Sequence, residues 1–213
     1  MGRKREAERN DGVILAAARD VFIADPKAPI AAVAERAGVG ISALYRRYTS
    51  KEELLRTLCH DGLRVFIAEA EAAAAIEDGW EALATFLRAV VDADVHSLTV
   101  HLAGTFVSTP EMVADARRSG VLTNALVERA RAGGRLRAEI QPTDVGLVLE
   151  GCAAIRLPDR DRTSELRRRY LAMTLDGMSR GERGELPGPP AAPDELNWRW
   201  TRSRQPAGRD GDA

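Results

Sequence analysis

The chain has 213 residues, 45% of them apolar, and a formal net charge of −1. That length suits one fair-sized domain, or a small domain joined to a larger one, with a core that needs no disulfide or metal staple. Cys59 and Cys152 lie far apart without metal-ligand spacing and read as buried thiols in a reducing compartment.

The opening "MGRKREAERN" has basic residues but no apolar run behind them, which argues against a secretory signal. The longest uncharged run, Val95 to Pro110, is too short and too polar to span a bilayer. A soluble, cytoplasmic protein without membrane contact is expected. Charge is unevenly spread: residues 1–56 hold 11 Lys/Arg against 8 Asp/Glu, and the remainder 20 against 24. A modestly basic end on an acidic body is compatible with a nucleic-acid-binding module, and equally with solvated helix faces.

Ala, Leu, Glu and Arg dominate, and apolar positions recur at three- and four-residue spacing, which predicts an all-α protein. The first helix is predicted over about Arg5–Ala24, with Val13, Ala17 and Val21 inward and Ile14 and Phe22 as further candidates. "DPKAP" breaks it, because proline restricts itself and the residue before it. Short helices follow over Ile30–Ala37 and Ile41–Tyr48, with Gly38 as the stop between them. "TSKEELL" then starts a long helix, in which Ser50 can cap the Glu53 amide while the Glu53 side chain reaches back.

Further helices are predicted over Trp80–Asp94, Val95–Phe106, and Pro110–Ala132 with a disturbance at Gly120. The last two are Thr143–Arg156 and Ser164–Met178, with "LPDRDRT" as a connecting loop. From Arg180 the chain is rich in proline and glycine and predicts a disordered tail in which Trp198 and Trp200 are the oddity. The expected division is a DNA-binding domain at 1–56, a larger helical domain at 57–179, and the tail at 180–213.

"AERAGVGISALYRRYTSKEELL" concentrates the chemistry. Ala34 lets the second short helix approach the first, and Gly38 can take positive φ at the turn without a Cβ cost. Leu44 and Tyr48, four apart, face the small core. Ser42, Ala43, Tyr45, Arg46 and Arg47 form the outer face, with Ile41 at the leading end. This is the pattern of a helix-turn-helix whose second helix enters a major groove. Arginines bond base edges or phosphates, and a tyrosine hydroxyl can reach a phosphate. Lys51, at the start of the next helix, adds its charge to the free amides there. The same spacing also fits a structural helical hairpin with a solvated charged face.

These residues carry a resemblance. "ILAAARDVFIA" followed by "IAAVAERAGVGISALYRRYTSKEELL" resembles the DNA-binding domain of the TetR (tetracycline repressor) family of bacterial transcriptional regulators, over about residues 10 to 60. The resemblance implies a homodimer that binds a palindromic double-stranded DNA operator, as a repressor released by a small-molecule effector. It implies that Gly40, Ile41, Ser42 and Ala43 approach bases, that Tyr45, Arg46 and Arg47 contact backbone or base edges, and that Lys51 holds a phosphate. Tyr48 falls at a structural position. Pro29 stands where the family often has a threonine that caps and touches phosphate. Ile41 and Ala43 bring methyl groups, which suit thymine, where polar readers are common. The basic arm Arg3, Lys4, Arg5 and Arg9 fits either a DNA-tracking role or a solvated terminus.

Outside this stretch no catalytic constellation stands out, and an enzyme is not expected. His96 and His101 are five apart, some 140° around a helix, which is poor for one metal. Neither a metal nor a cofactor is expected. Trp80, Phe86, Val90, His96, His101 and Phe106 are candidates for an effector pocket that favours an apolar ligand, and they fit a plain core as well. In the last two helices Val145, Val148, Leu149 and Cys152 make one apolar stripe. Leu166, Tyr170 and Met173 make a second and Leu171, Leu175 and Met178 a third, so a four-helix dimer interface is expected. The alternative function is an all-helical small-molecule carrier or enzyme whose hairpin is only structural.

Overall fold

A computed structural model describes residues 2–181, 186–187, 189–192 and 195, with side chains from residue 11 onward. Among the described residues the chain forms nine α-helices and no strand. They are α1 (Gly2–Ala24), α2 (Ile30–Ala37), α3 (Ile41–Arg47), α4 (Lys51–Ala74), α5 (Gly79–Asp92), α6 (Val95–Leu102), α7 (Pro110–Ala132), α8 (Pro142–Ala154) and α9 (Arg160–Met178). No described helix is long and apolar enough to cross a membrane. Trp198 and Trp200 lie outside the described residues, as does most of the segment read as a disordered tail.

The described chain forms two compact units. The first comprises residues 2–61 with His101–Ser108, and the second Gly62–Val100 with the described residues from 109 to 195. In the first unit α1 packs on α2 and α2 on α3. Its buried side chains include Ile14, Ala17, Ala18, Phe22, Val33, Leu44, Tyr48, Leu54 and Leu55. Val13, expected inward, is 49% exposed, while Ile14 is buried in its place. The run "VILAAA" is apolar at every position, so its periodicity leaves the phase of the helix open.

The second unit is built around α5, which packs on α7, α8 and α9. Its buried positions surround most of the helix: Trp80, Ala82, Leu83, Ala84, Phe86, Leu87, Val90 and Val91. Such all-round apolarity marks a helix enclosed by others. Phe66 on α4 meets Phe86 edge-on at 5.0 Å and 87°, a favourable aromatic geometry. Arg129 of α7 donates to the carbonyls of Ala74 (2.8 Å), Ile76 and Glu77 (3.3 Å), satisfying acceptors at the end of α4.

Two expectations are corrected by this unit. Helix α7 runs unbroken through Gly120, where a Cβ would meet nothing within 4 Å. The glycine is exposed and costs helix propensity without breaking the helix. Helix α9 begins at Arg160, because the Asp159 side chain accepts from the Arg162 amide at 3.1 Å. "RDRT" is therefore a capped first turn and not a loop.

Candidate nucleic-acid interface

The turn between α2 and α3 follows from two residues. Gly38 ends α2 with φ 67°, ψ 28°, a left-handed conformation that costs glycine no Cβ strain. The Val39 amide then bonds back to Ala34 O (3.0 Å) and the Gly38 amide to Glu35 O (3.1 Å), closing the helix end. Gly40, extended at φ −66°, accepts from the amides of Ala43 and Leu44 (2.8 and 3.2 Å) and so starts α3. With Leu44 fully buried and Tyr48 almost so, α3 has one inner edge. Ile41, Ser42, Tyr45, Arg46 and Arg47 are exposed, and Ala43 is half-buried. Tyr45 and Arg46 have no side-chain partner among the described residues.

Three cations stitch later helices of this unit to α1 and the loop after it. Arg36 of α2 bonds Asp20 of α1 at 2.9 and 3.3 Å. Arg47, at the end of α3, forms a two-pronged pair with Asp11 of α1, through Nε at 2.5 Å and through Nη2. The Tyr48 hydroxyl donates to the same carboxylate at 3.3 Å. The Arg47 guanidinium holds the Asp11 carboxyl below its ordinary 3.8, and Asp11 in turn raises the Arg47 pKa. Burial, helped by the Asp11 charge, pushes the Tyr48 hydroxyl up to about 12.

Lys51 is the third cation. Its Nζ donates to Ala28 O (2.6 Å) and Pro26 O (2.8 Å) and lies 4.9 Å from the centre of the Phe22 ring. Two of its three N–H groups thus close the carbonyls left free by the proline-broken loop, and burial lowers its pKa. The start of α4 differs in one bond from the expected reciprocal cap. Ser50 Oγ accepts from the Glu53 amide (3.1 Å), but Glu53 accepts from the Thr49 amide and hydroxyl (2.7 and 2.6 Å). The carboxylate overreaches Ser50 by one residue because Thr49 offers two donors.

The candidate effector residues are distributed between the units. Trp80, Phe86, Val90 and His96 lie in the second and are buried; His101 and Phe106 belong to the first. The His96 ring contacts Val90 O at 3.4 Å. Two surface cavities of the second unit, of about 300 and 430 Å³, are lined by none of the six. A buried charge missed from the sequence sits nearby: Arg167 bonds Ile155 O (3.0 Å) and Asp94 (2.5 Å), and Asp94 has φ 54°. Arg167 lies four residues before Leu171, so carrying the Leu171, Leu175 and Met178 stripe back one turn within the predicted helix would have placed it on the inner side.

Two short helices joined at a left-handed glycine, with the second anchored by one edge and presenting polar groups on the other, define a helix-turn-helix regulator domain. Residues 14–58 match the family described as bacterial regulatory proteins, tetR family. Residues 78–180 match the C-terminal domain described as transcriptional regulator SbtR-like. No curated protein matches the chain. Among solved structures, a TetR transcriptional regulator from Streptomyces coelicolor is 25% identical, with 79% of this chain and 98% of that chain covered and a TM-score of 0.55. A gamma-butyrolactone receptor described as ArpA-like is 19% identical, covers 93% and 98%, and has a TM-score of 0.61. The TetR-like regulator LfrR from Mycobacterium smegmatis, in complex with proflavine, is 22% identical over 78% and 96%, with a TM-score of 0.54. The chain belongs to the TetR family of bacterial regulatory proteins, which are ligand-responsive transcriptional regulators.

Proposed function

We propose that the chain is a homodimeric repressor that places α3 in the major groove of a two-fold-symmetric operator and leaves it when a small, apolar or amphipathic effector binds. The observation that carries this reading is the division of α3 into a buried edge at Leu44 and an exposed face of Ile41, Ser42, Tyr45 and Arg46. Gly40, Ile41, Ser42 and Ala43 approach bases, with the Ile41 and Ala43 methyls meeting thymine methyls, and Arg46 and Tyr45 supply the polar contacts.

Support for a dimer comes from the last two helices. Leu171, Leu175 and Met178 are buried in the chain's own core, whereas on another face of α9 Met173 is 59% exposed and Tyr170 half-buried. Leu147 on α8 is 44% exposed. Apolar surface left over after a core is complete suits a symmetric contact with a second copy. For the effector, two structural neighbours carry small ligands in their names, proflavine and gamma-butyrolactone. Trp80, Phe86, Val90 and His96 are the groups proposed to meet it.

The test is a gel shift of the purified protein against the DNA upstream of its own gene. Salt-sensitive binding to a discrete fragment supports the reading, and Arg46→Ala should weaken it with the oligomer intact. A carrier with a merely structural hairpin would take ligand and bind no fragment.

A further inference from the structure

The two adjacent arginines of α3 are equivalent in sequence and different in structure. Arg46 is exposed and has no partner among the described residues. Arg47 is turned back onto α1, where its guanidinium grips both oxygens of Asp11. The grip is reinforced from the next residue, since the Tyr48 hydroxyl donates to the Asp11 oxygen that also accepts from Arg47 Nε. The Arg47 guanidinium also lies 5.7 Å from the centre of the Tyr48 ring. Three donors from the end of α3 therefore converge on one carboxylate contributed by a helix 36 residues earlier.

We propose that Arg47 is a positioning residue, which fixes the tilt of α3 on α1 through Asp11 and leaves the charged contact with DNA to Arg46. The proposal rests on the reading of α3 as the DNA-contacting helix. An α3 of only seven residues is fixed at mid-helix and at its end. Leu44 is an apolar peg in mid-helix, and at the helix end the buried Tyr48 and the Asp11 clamp together hold the last turn. A short helix on one peg can rock about it, and rocking moves the side chains that must register with base edges. The clamp removes that freedom. A bidentate guanidinium–carboxylate pair defines a plane as well as a distance, which a lysine point charge in the same place would not. Turning the Nε–Nη2 edge of Arg47 to a phosphate would break this pair and leave the Asp11 carboxylate, whose side chain is only 21% exposed, with the Tyr48 hydroxyl as its one remaining donor of the three.

The two roles differ in an observable. A residue that neutralises phosphate releases counterions, so its loss flattens the salt dependence of binding by about 0.9 per contact, or about 1.8 for a dimer. A residue that sets helix tilt changes sequence discrimination and leaves that slope alone. The probes are a duplex enriched by the full-length wild-type protein from a randomised library, and a scrambled duplex of equal length. Affinities for both are measured across a salt series for wild type, Arg46→Ala, Arg47→Ala, Asp11→Asn and the Asp11→Asn/Arg47→Ala double variant.

Arg47→Ala and Asp11→Asn should each lower the ratio of specific to non-specific affinity about tenfold, the scale of one lost base pair. Neither should flatten the salt slope, and the double variant should be no worse than the poorer single one. Arg46→Ala should flatten the slope. The idea is overturned by an Arg47→Ala slope as flat as that of Arg46→Ala, by additive losses in the double variant, or by an unchanged ratio in Asp11→Asn. The near-isosteric Asp11→Asn keeps the test valid should Arg47→Ala fold poorly. If the wild type enriches no duplex, the DNA-binding reading itself fails, a result distinct from failure of the clamp.

Discussion

Leu44→Ala perturbs the anchor of the proposed reading helix directly. Leu44 is 0% exposed, so the substitution removes three fully buried carbons. At about 0.8 kcal/mol per buried carbon the transfer loss alone is about 2.4 kcal/mol. Incomplete collapse of the cavity raises the total toward 5 kcal/mol, the top of the range for such truncations. α3 is short and flanked by exposed turns, so partial collapse is possible, and about 3 kcal/mol is the expected value. For a small domain this corresponds to a fall in Tm of more than 10 °C. Urea denaturation followed by circular dichroism, with Leu44→Met as the volume-conserving control, measures it. Operator affinity at 25 °C should fall in Leu44→Ala well before the bulk of the helix is lost. A loss below 1 kcal/mol, or one equal to that of Leu44→Met, would refute Leu44 as the anchor.

Gly38→Val places a β-branched residue at φ 67° in otherwise open space, so its cost is conformational, about 1–2 kcal/mol in a thermal melt, and Gly38→Asn should cost less. Burial pushes the Cys59 thiol up to about 12 and the Cys152 thiol to about 11. Iodoacetamide at pH 8 should therefore leave both unmodified in the native protein and label both in urea; rapid native labelling would contradict the buried placement. Because the Asp11 carboxyl is held below its ordinary 3.8, its contribution is fully present above about pH 4 and is lost as pH falls through the lower native value. Asp11→Asn should accordingly narrow the stability difference from wild type at pH 3 relative to pH 6; an equal difference at both would show that the charge on Asp11 contributes nothing.

The helices and the turn were legible in the sequence because each is signalled locally. Gly38 announces a left-handed stop, Pro110 and Pro142 sit in the first turns of α7 and α8, and apolar spacing marks the rest. Local signals failed where they were redundant or silent. The uniform "VILAAA" hid which side of α1 is buried, and the polar "RDRT" hid the first turn of α9 despite the capping Asp159. The chemistry of the candidate site was legible as composition and not as assignment. Nothing local separates Arg46 from Arg47, since their difference is made by Asp11, which tertiary docking brings near. Likewise the Lys51 ammonium is engaged by the carbonyls of Pro26 and Ala28, acceptors that exist only because the loop after α1 is folded as it is.

The proposed repressor acts through α3, which enters DNA as one of a symmetric pair. Hydroxyl-radical footprinting of the full-length protein on its enriched duplex tests this most directly. Two protected patches, related by two-fold symmetry with centres about one helical turn, roughly 34 Å, or somewhat more apart, are predicted, with the pattern lost in Arg46→Ala. Uniform protection, or none, would contradict it.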